Sequence, residues 1–162
     1  METNLVSVLA ADSLQYSDGN TTFKYEELND GTIKLTECVK TAKELIIPAE
    51  INDKKVSTIG LHFTSYNSSI EKVSIPEGVT TLDNFAFDSC ENLESINIPS
   101  TVTFIGAGTF RNCSSLKEIE IPDNITRLYD STFEGCSSLE VLSCQKILRR
   151  LIVMFLEIVV VL

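Results

Sequence analysis

Histidine and basic residues are scarce in this 162-residue chain, and each scarcity removes a class of function. His62 is the only histidine. No nucleophile or orienting group accompanies it in the sequence, so a general base there lacks its partners. Without a second histidine or a C-x-x-C pair, the residue set for tetrahedral zinc is also missing. Gly106-Ala107-Gly108 lacks the third glycine of a phosphate loop, and Glu26-Glu27 falls on an expected exposed hairpin. No catalytic residue, no metal and no cofactor is therefore expected. Thirteen Lys and Arg stand against twenty-three Asp and Glu, a net charge of −10. Phosphate backbones are bound by clustered cations, so a nucleic-acid partner is excluded. No apolar run is long enough to span a bilayer. The longest, Leu151 to Leu162, would reach about 18 Å as a helix against a hydrocarbon core of roughly 30 Å, and Glu157 interrupts it.

The four prolines carry the organisation. They fall at Pro48, Pro76, Pro99 and Pro122, and each closes a short apolar run such as Val73-Ser74-Ile75 or Ile96-Asn97-Ile98. The last two intervals are both 23 residues, and a fixed period of that size marks a repeat array. Matching outward yields a unit L-x-x-I-x-I-P-x-x-V-T-x-[IL]-x-x-x-x-F-x-x-C. Leu93, Ile96, Ile98, Pro99, Val102, Thr103, Ile105, Phe110 and Cys113 fill it once. Equivalent sets begin at Ile70 and Leu116. A looser unit runs from Leu45 to Ser69, with five extra residues around Asn52-Asp53-Lys54-Lys55 that suggest a surface loop. In that alignment Tyr66 takes the cysteine position, and His62 matches Ala86, Thr109 and Thr132.

One unit cannot bury its own apolar face, so the units must stack. The I-x-I segment predicts a short strand with both isoleucines inward, ended by a proline that has no N–H for the ladder. V-T-x-[IL] predicts a second strand, and the segment holding Phe87 and Cys90 a tight helical turn. Asn29-Asp30-Gly31, between Thr22–Leu28 and Thr32–Thr36, is the strongest hairpin signal, and its hairpin is expected to cap the N-terminal end.

These units resemble leucine-rich repeats of the BspA-like class, over residues 23–142. The fold so implied is an α/β repeat solenoid: a right-handed leucine-rich-repeat coil of about four 23-residue turns, with short parallel strands and an N-terminal β-hairpin cap. Residues 22–143 form the repeat domain. Residues 1–21 are a separate segment whose Leu5-Val6-Ser7-Val8-Leu9-Ala10-Ala11 is like the end of a signal peptide, although no basic residue precedes it. Residues 144–162 are a hydrophobic tail with three readings: a degenerate last turn plugging the coil, a membrane segment cut short, or an aggregating end. Contact with a membrane would run through that tail.

Cys90, Cys113 and Cys136 share one repeat position and are expected to stack as buried free thiols. Four acceptor triplets for N-glycosylation begin at Asn20, Asn67, Asn112 and Asn124. On the first strand the outward positions form columns. Glu71, Glu94, Lys117 and Glu140 make one, Lys72, Ser95, Glu118 and Val141 the next, and Ser74, Asn97, Glu120 and Ser143 the third. The candidate ligand-binding residues are accordingly Glu71, Lys72, Ser74, Glu94, Ser95, Asn97, Lys117, Glu118 and Glu120. The resemblance implies a cell-surface or secreted adhesin whose ligand is a host extracellular-matrix or cell-surface protein. The alternative is a structural spacer without a ligand of its own.

Overall fold

The computed structural model describes residues 14–144. The expectations for residues 1–13 and for the tail from Gln145 onward lie outside the described residues. Twelve short strands make up the described chain: β1 Leu14–Ser17, β2 Thr22–Glu27, β3 Ile33–Lys40, β4 Glu44–Ile46, β5 Glu50–Ile51, β6 Lys54–Ile59, β7 Lys72–Ser74, β8 Thr81–Leu82, β9 Ser95–Asn97, β10 Phe104–Ile105, β11 Glu118–Glu120 and β12 Val141–Ser143.

The coil has three sides. Its front carries the I-x-I strands, paired in parallel as β4-β7-β9 and β11-β12. Its back carries β6, β8 and β10, also parallel. Turns close the third side. Five strands line the front, β12 among them, so the coil has about five turns where the prolines mark four. Inward positions are closed to solvent as the alternation demands: Val73, Ile75, Ile96, Ile119 and Ile121 are all buried on the front, and Leu82 and Ile105 on the back.

The expected α/β class is corrected here: no helix occurs among the described residues. The Phe-x-x-Cys spacing of three suggests a helical turn, but in each of the four coils whose turns are described two residues have positive φ, which an α-helix of L-residues does not tolerate. One column holds His62, Phe85, Gly108 and Ser131, at φ 54°, 56°, 61° and 57°. The other holds Tyr66, Ser89, Asn112 and Gly135, at 63°, 57°, 58° and 76°. Between them the backbone runs as a ladder. Phe85, Phe87 and Ser89 donate their N–H groups to Ala107, Thr109 and Arg111 of the next coil.

This ladder also shifts the first unit by one residue. The Thr64 N–H bonds Ala86 O as the Phe87 N–H bonds Thr109 O, so Thr64 is the backbone equivalent of Phe87. His62 therefore stacks with Phe85 and Gly108, and Tyr66 stands with Ser89, away from the cysteine column. Phe63 reaches the core from the adjacent position. Its ring meets Phe87 edge-on at 6.3 Å, whereas Phe87–Phe110 and Phe110–Phe133 are stacked at 5.9 and 5.7 Å. The extra residues expected as a loop form a hairpin instead: β5 pairs antiparallel with β6, and Asn52 and Asp53 take the two positive φ values of a type I′ turn.

At the N-terminal end β2 and β3 form the expected antiparallel hairpin around Gly31, φ 82°. β1 adds a third antiparallel strand to it. β3 then joins β6 in parallel and continues the back sheet. Phe23 of β2 lies 6.2 Å from Phe63 and 6.4 Å from Tyr16, so one aromatic file runs from the cap through the core to Phe133. Capping and core are thus one packing unit.

Candidate functional site

The strand face is built by register. Lys72 lies beside Ser95 and Ser74 beside Asn97 through the β7–β9 ladder, and Glu118 and Glu120 lie beside Val141 and Ser143 through β11–β12. Glu94, Lys117 and the outward residues of these three-residue strands are exposed except Val141 and Ser143, while Glu71 is half-buried. β4 adds a row that the uneven spacing of the first unit concealed: Glu44 beside Lys72, and Ile46 beside Ser74. Ile46 is 58% exposed, a bare aliphatic side chain on a face whose other outward residues are polar apart from the half-buried Val141. Lys43 forms an ion pair with Glu71, which raises the lysine's pKa through that hydrogen bond. Asn97 is already engaged. Its Oδ1 accepts the Ile75 N–H at 2.9 Å and its Nδ2 donates to Ile75 O at 3.0 Å, so this amide replaces a ladder rung.

The turn face carries a cluster that sequence reasoning missed. Asp88 is fully buried and accepts a bidentate pair from Arg111, Nε to Oδ1 at 2.9 Å and Nη2 to Oδ2 at 2.8 Å. That hydrogen bonding raises the pKa of Arg111 further. The guanidinium lies 4.9 Å over the Phe85 ring, whose other neighbour is His62 at 5.2 Å. Gly108 makes room for this ring, because a Cβ there would sit 2.3 Å from Phe85 Cε1. His62 Nδ1 hydrogen-bonds Ser65 Oγ at 2.9 Å. The histidine is a stacked turn residue in a left-handed position. The available signal was the 23-residue spacing of His62, Phe85 and Gly108, hidden by aligning the first unit on Phe63.

All five described cysteines are free. Cys90, Cys113 and Cys136 donate their S–H groups to the carbonyls of Thr64, Phe87 and Phe110, at 3.3, 3.3 and 3.0 Å. Burial pushes the Cys90 and Cys136 thiols up to about 11, and Cys113, flanked by both, higher still. Such thiols are poor nucleophiles and poor metal ligands. Among the described residues no group of three or more His, Cys, Asp or Glu is placed to hold a metal ion, and no helix is long and apolar enough to cross a membrane.

The acceptor triplets divide into two kinds. Asn112 Nδ2 donates to Ser89 Oγ at 3.4 Å and Asn124 Nδ2 to Ser100 O at 2.7 Å, so both tie adjacent coils together. Asn20 is exposed on the β1–β2 connection, and Asn67 folds into a turn in which its Oδ1 accepts the Ser69 N–H at 2.9 Å.

Comparison with known proteins agrees with this architecture. No curated protein matches the chain. A leucine-rich repeat protein of Bacteroides capillosus superposes with a TM-score of 0.68 at 23% identity, covering 81% of this chain and 98% of its own. A leucine rich cell surface protein of Faecalibacterium prausnitzii gives 0.64 at 24% identity, covering 85% of this chain and 44% of its own. A leucine-rich repeat protein of Bacteroides ovatus gives 0.63 at 27%, covering 79% and 40%. The model of the BspA type leucine rich repeat region matches residues 57–152 in six copies, more than half of the sequence. With its 23-residue coils, inward I-x-I strands and turn ladder, the chain belongs to the BspA-type leucine-rich repeat family.

Proposed function

We propose that the strand face is a protein-binding surface and that the chain acts as a surface-displayed or secreted adhesion module for extracellular-matrix or cell-surface proteins. The observation that carries this reading is the contrast between the two sides of one strand. Val73, Ile96 and Ile119 repeat inward almost unchanged, while Lys72, Ser95 and Glu118 differ outward at the same register. A rigid scaffold that presents varied side chains at fixed spacing is how solenoids make extended recognition surfaces. The family, and the cell-surface name of the Faecalibacterium protein, support the location.

Binding of the purified chain to a panel of matrix proteins by surface plasmon resonance tests the reading. E94K and E118K should each weaken binding about tenfold without changing the circular dichroism melt. A second reading is a spacer without a ligand, because solvent-facing positions free to drift would show the same outward variation at Lys72, Ser95 and Glu118. Absence of binding to the whole panel would support the spacer and sink the adhesin.

A further inference from the structure

The coil is continuous on one side and interrupted on two. Between the coil of residues 93–115 and the coil that starts at Leu116, three backbone hydrogen bonds run along the turn ladder: Gly108 N–H to Asp130 O, Phe110 N–H to Thr132 O and Asn112 N–H to Glu134 O. On the front β9 does not pair with β11, on the back no backbone hydrogen bond joins the two coils among the described residues, and past the front strands one side chain crosses, Asn124 Nδ2 to Ser100 O. The neighbouring junctions differ. Glu94 and Ser95 N–H both reach Glu71 O, Thr103 and Phe104 N–H both reach Thr80 O, and Gly106 N–H reaches Leu82 O. Past the interruption the front ladder resumes, with Glu140 and Val141 N–H on Lys117 O and Ile121 N–H on Ser143 O.

Side chains account for the gap on both faces. On the front, Asn97 bridges the N–H and C=O of Ile75, but the corresponding residue one coil later is Glu120, which lacks the amide donor needed to bridge Ile98 in the same way. On the back, the chain lies close against the preceding coil at Gly106, where a Cβ would meet Asn84 N at 2.6 Å. One coil later this place belongs to Tyr129. Its ring packs 5.4 Å from Phe104 and lies 4.7 Å beneath the Arg127 guanidinium. A pocket of about 60 Å³ remains between Thr103, Phe104, Ile105, Thr126, Arg127 and Tyr129, with room for a few water molecules to solvate the free backbone groups.

We propose that residues 116–144 form a unit that opens against the rest of the coil about the turn ladder as its hinge and that, once parted from the packed coil before it, unfolds as one and exposes its internal rungs, Ile121 N–H to Ser143 O and Glu140 and Val141 N–H to Lys117 O, together. The strand face is divided by this seam, with Glu94, Ser95 and Asn97 on one body and Lys117, Glu118 and Glu120 on the other. A partner that engages both sets the angle between them. That consequence rests on the strand-face reading, whereas the hinge does not.

Native-state hydrogen exchange on the full chain, followed by NMR in low concentrations of denaturant, tests the hinge. The amides of Ile121, Glu140 and Val141 are expected to exchange together, at least tenfold faster than those of Glu94, Thr103 and Gly106. Equal rates in the two sets overturn the proposal. A gradient in which Ile121, held by Ser143 O, exchanges fastest and Glu140 slowest also overturns it, since that is fraying of β12 from its far end. E120N supplies the missing bridge to Ile98 and should slow all three amides several-fold together, and unchanged rates in that variant count against the hinge. Loss of ligand binding by contrast would leave every one of these rates untouched.

Discussion

Two residues in each of the four described turns stand in the left-handed region, and only Gly108 and Gly135 in these columns do so without steric cost. Each of the others stores on the order of 1–2 kcal/mol of backbone strain. Ser131 is exposed and at φ 57°, so Ser131→Gly should relieve strain without losing a buried contact. After the added entropy of the unfolded glycine is counted, a gain of about 0.5–1 kcal/mol in urea denaturation is expected. Ser131→Val, β-branched, should lose more than that. The thiols give a second residue-scale test. An ordinary thiol here ionises near 9, while Cys90 keeps its proton to about 11 because burial disfavours the thiolate. Between those values the unfolded chain has shed a proton that the folded chain retains, so stability falls as pH rises through this window and is insensitive to Cys90 below it. The two-unit shift corresponds to roughly 3 kcal/mol at most. Denaturation midpoints should therefore drop from pH 9 to 11, and less steeply in Cys90→Ala than in the native chain.

At the scale of the element, the rungs of the ladder are unequal. Most are backbone to backbone, but the Asn97 amide stands in for one at Ile75. Asn97→Ala leaves the Ile75 N–H and C=O without that partner and should cost about 1–3 kcal/mol, seen as a lower melting temperature together with faster exchange of the Ile75 amide. The Asp88–Arg111 pair joins successive turns across 23 residues, and only the carboxylate is fully buried. Arg111→Ala should therefore destabilise by about 3 kcal/mol, while Asp88→Asn combined with Arg111→Met recovers most of the loss, because Asp88→Asn removes the buried charge that loss of the guanidinium leaves stranded. The strands were legible because the proline and the I-x-I alternation sit at one residue spacing, and both have direct physical readings. The candidate columns followed from the same register. The turns were not legible as turns: Phe87 and Cys90 at spacing three mimic a helix, and the left-handed columns show a residue that favours positive φ only at Gly108, Asn112 and Gly135, while Phe85, Ser89, Tyr66 and Ser131 hold the equivalent places in other coils. The Asp88–Arg111–Phe85 cluster was lost with them, since its members meet only across coils.

Across the whole molecule, each coil touches only its neighbours, so stability should behave as a chain of local terms coupled at interfaces. The aromatic file from Tyr16 to Phe133 threads the interfaces from the cap to the coil that starts at Leu116, and a lesion in it should be felt according to place. Phe87 is fully buried between Phe63 and Phe110. Phe87→Ala removes contacts to both and should cost about 3–5 kcal/mol. Because it lies mid-coil, it also loosens the link between the cap side and the C-terminal side, so the urea transition should broaden and its slope fall as the halves begin to melt separately. Phe133 packs on Phe110 and is half-buried. Phe133→Ala has less to lose, and its weakened interface lies at the seam, where coupling is already low. Its midpoint should shift by less than half as much while the slope of the main transition stays near the native value. Two variants with equal midpoint shifts and native slopes would mean that the coil unfolds in one step, with no weak junction before Leu116.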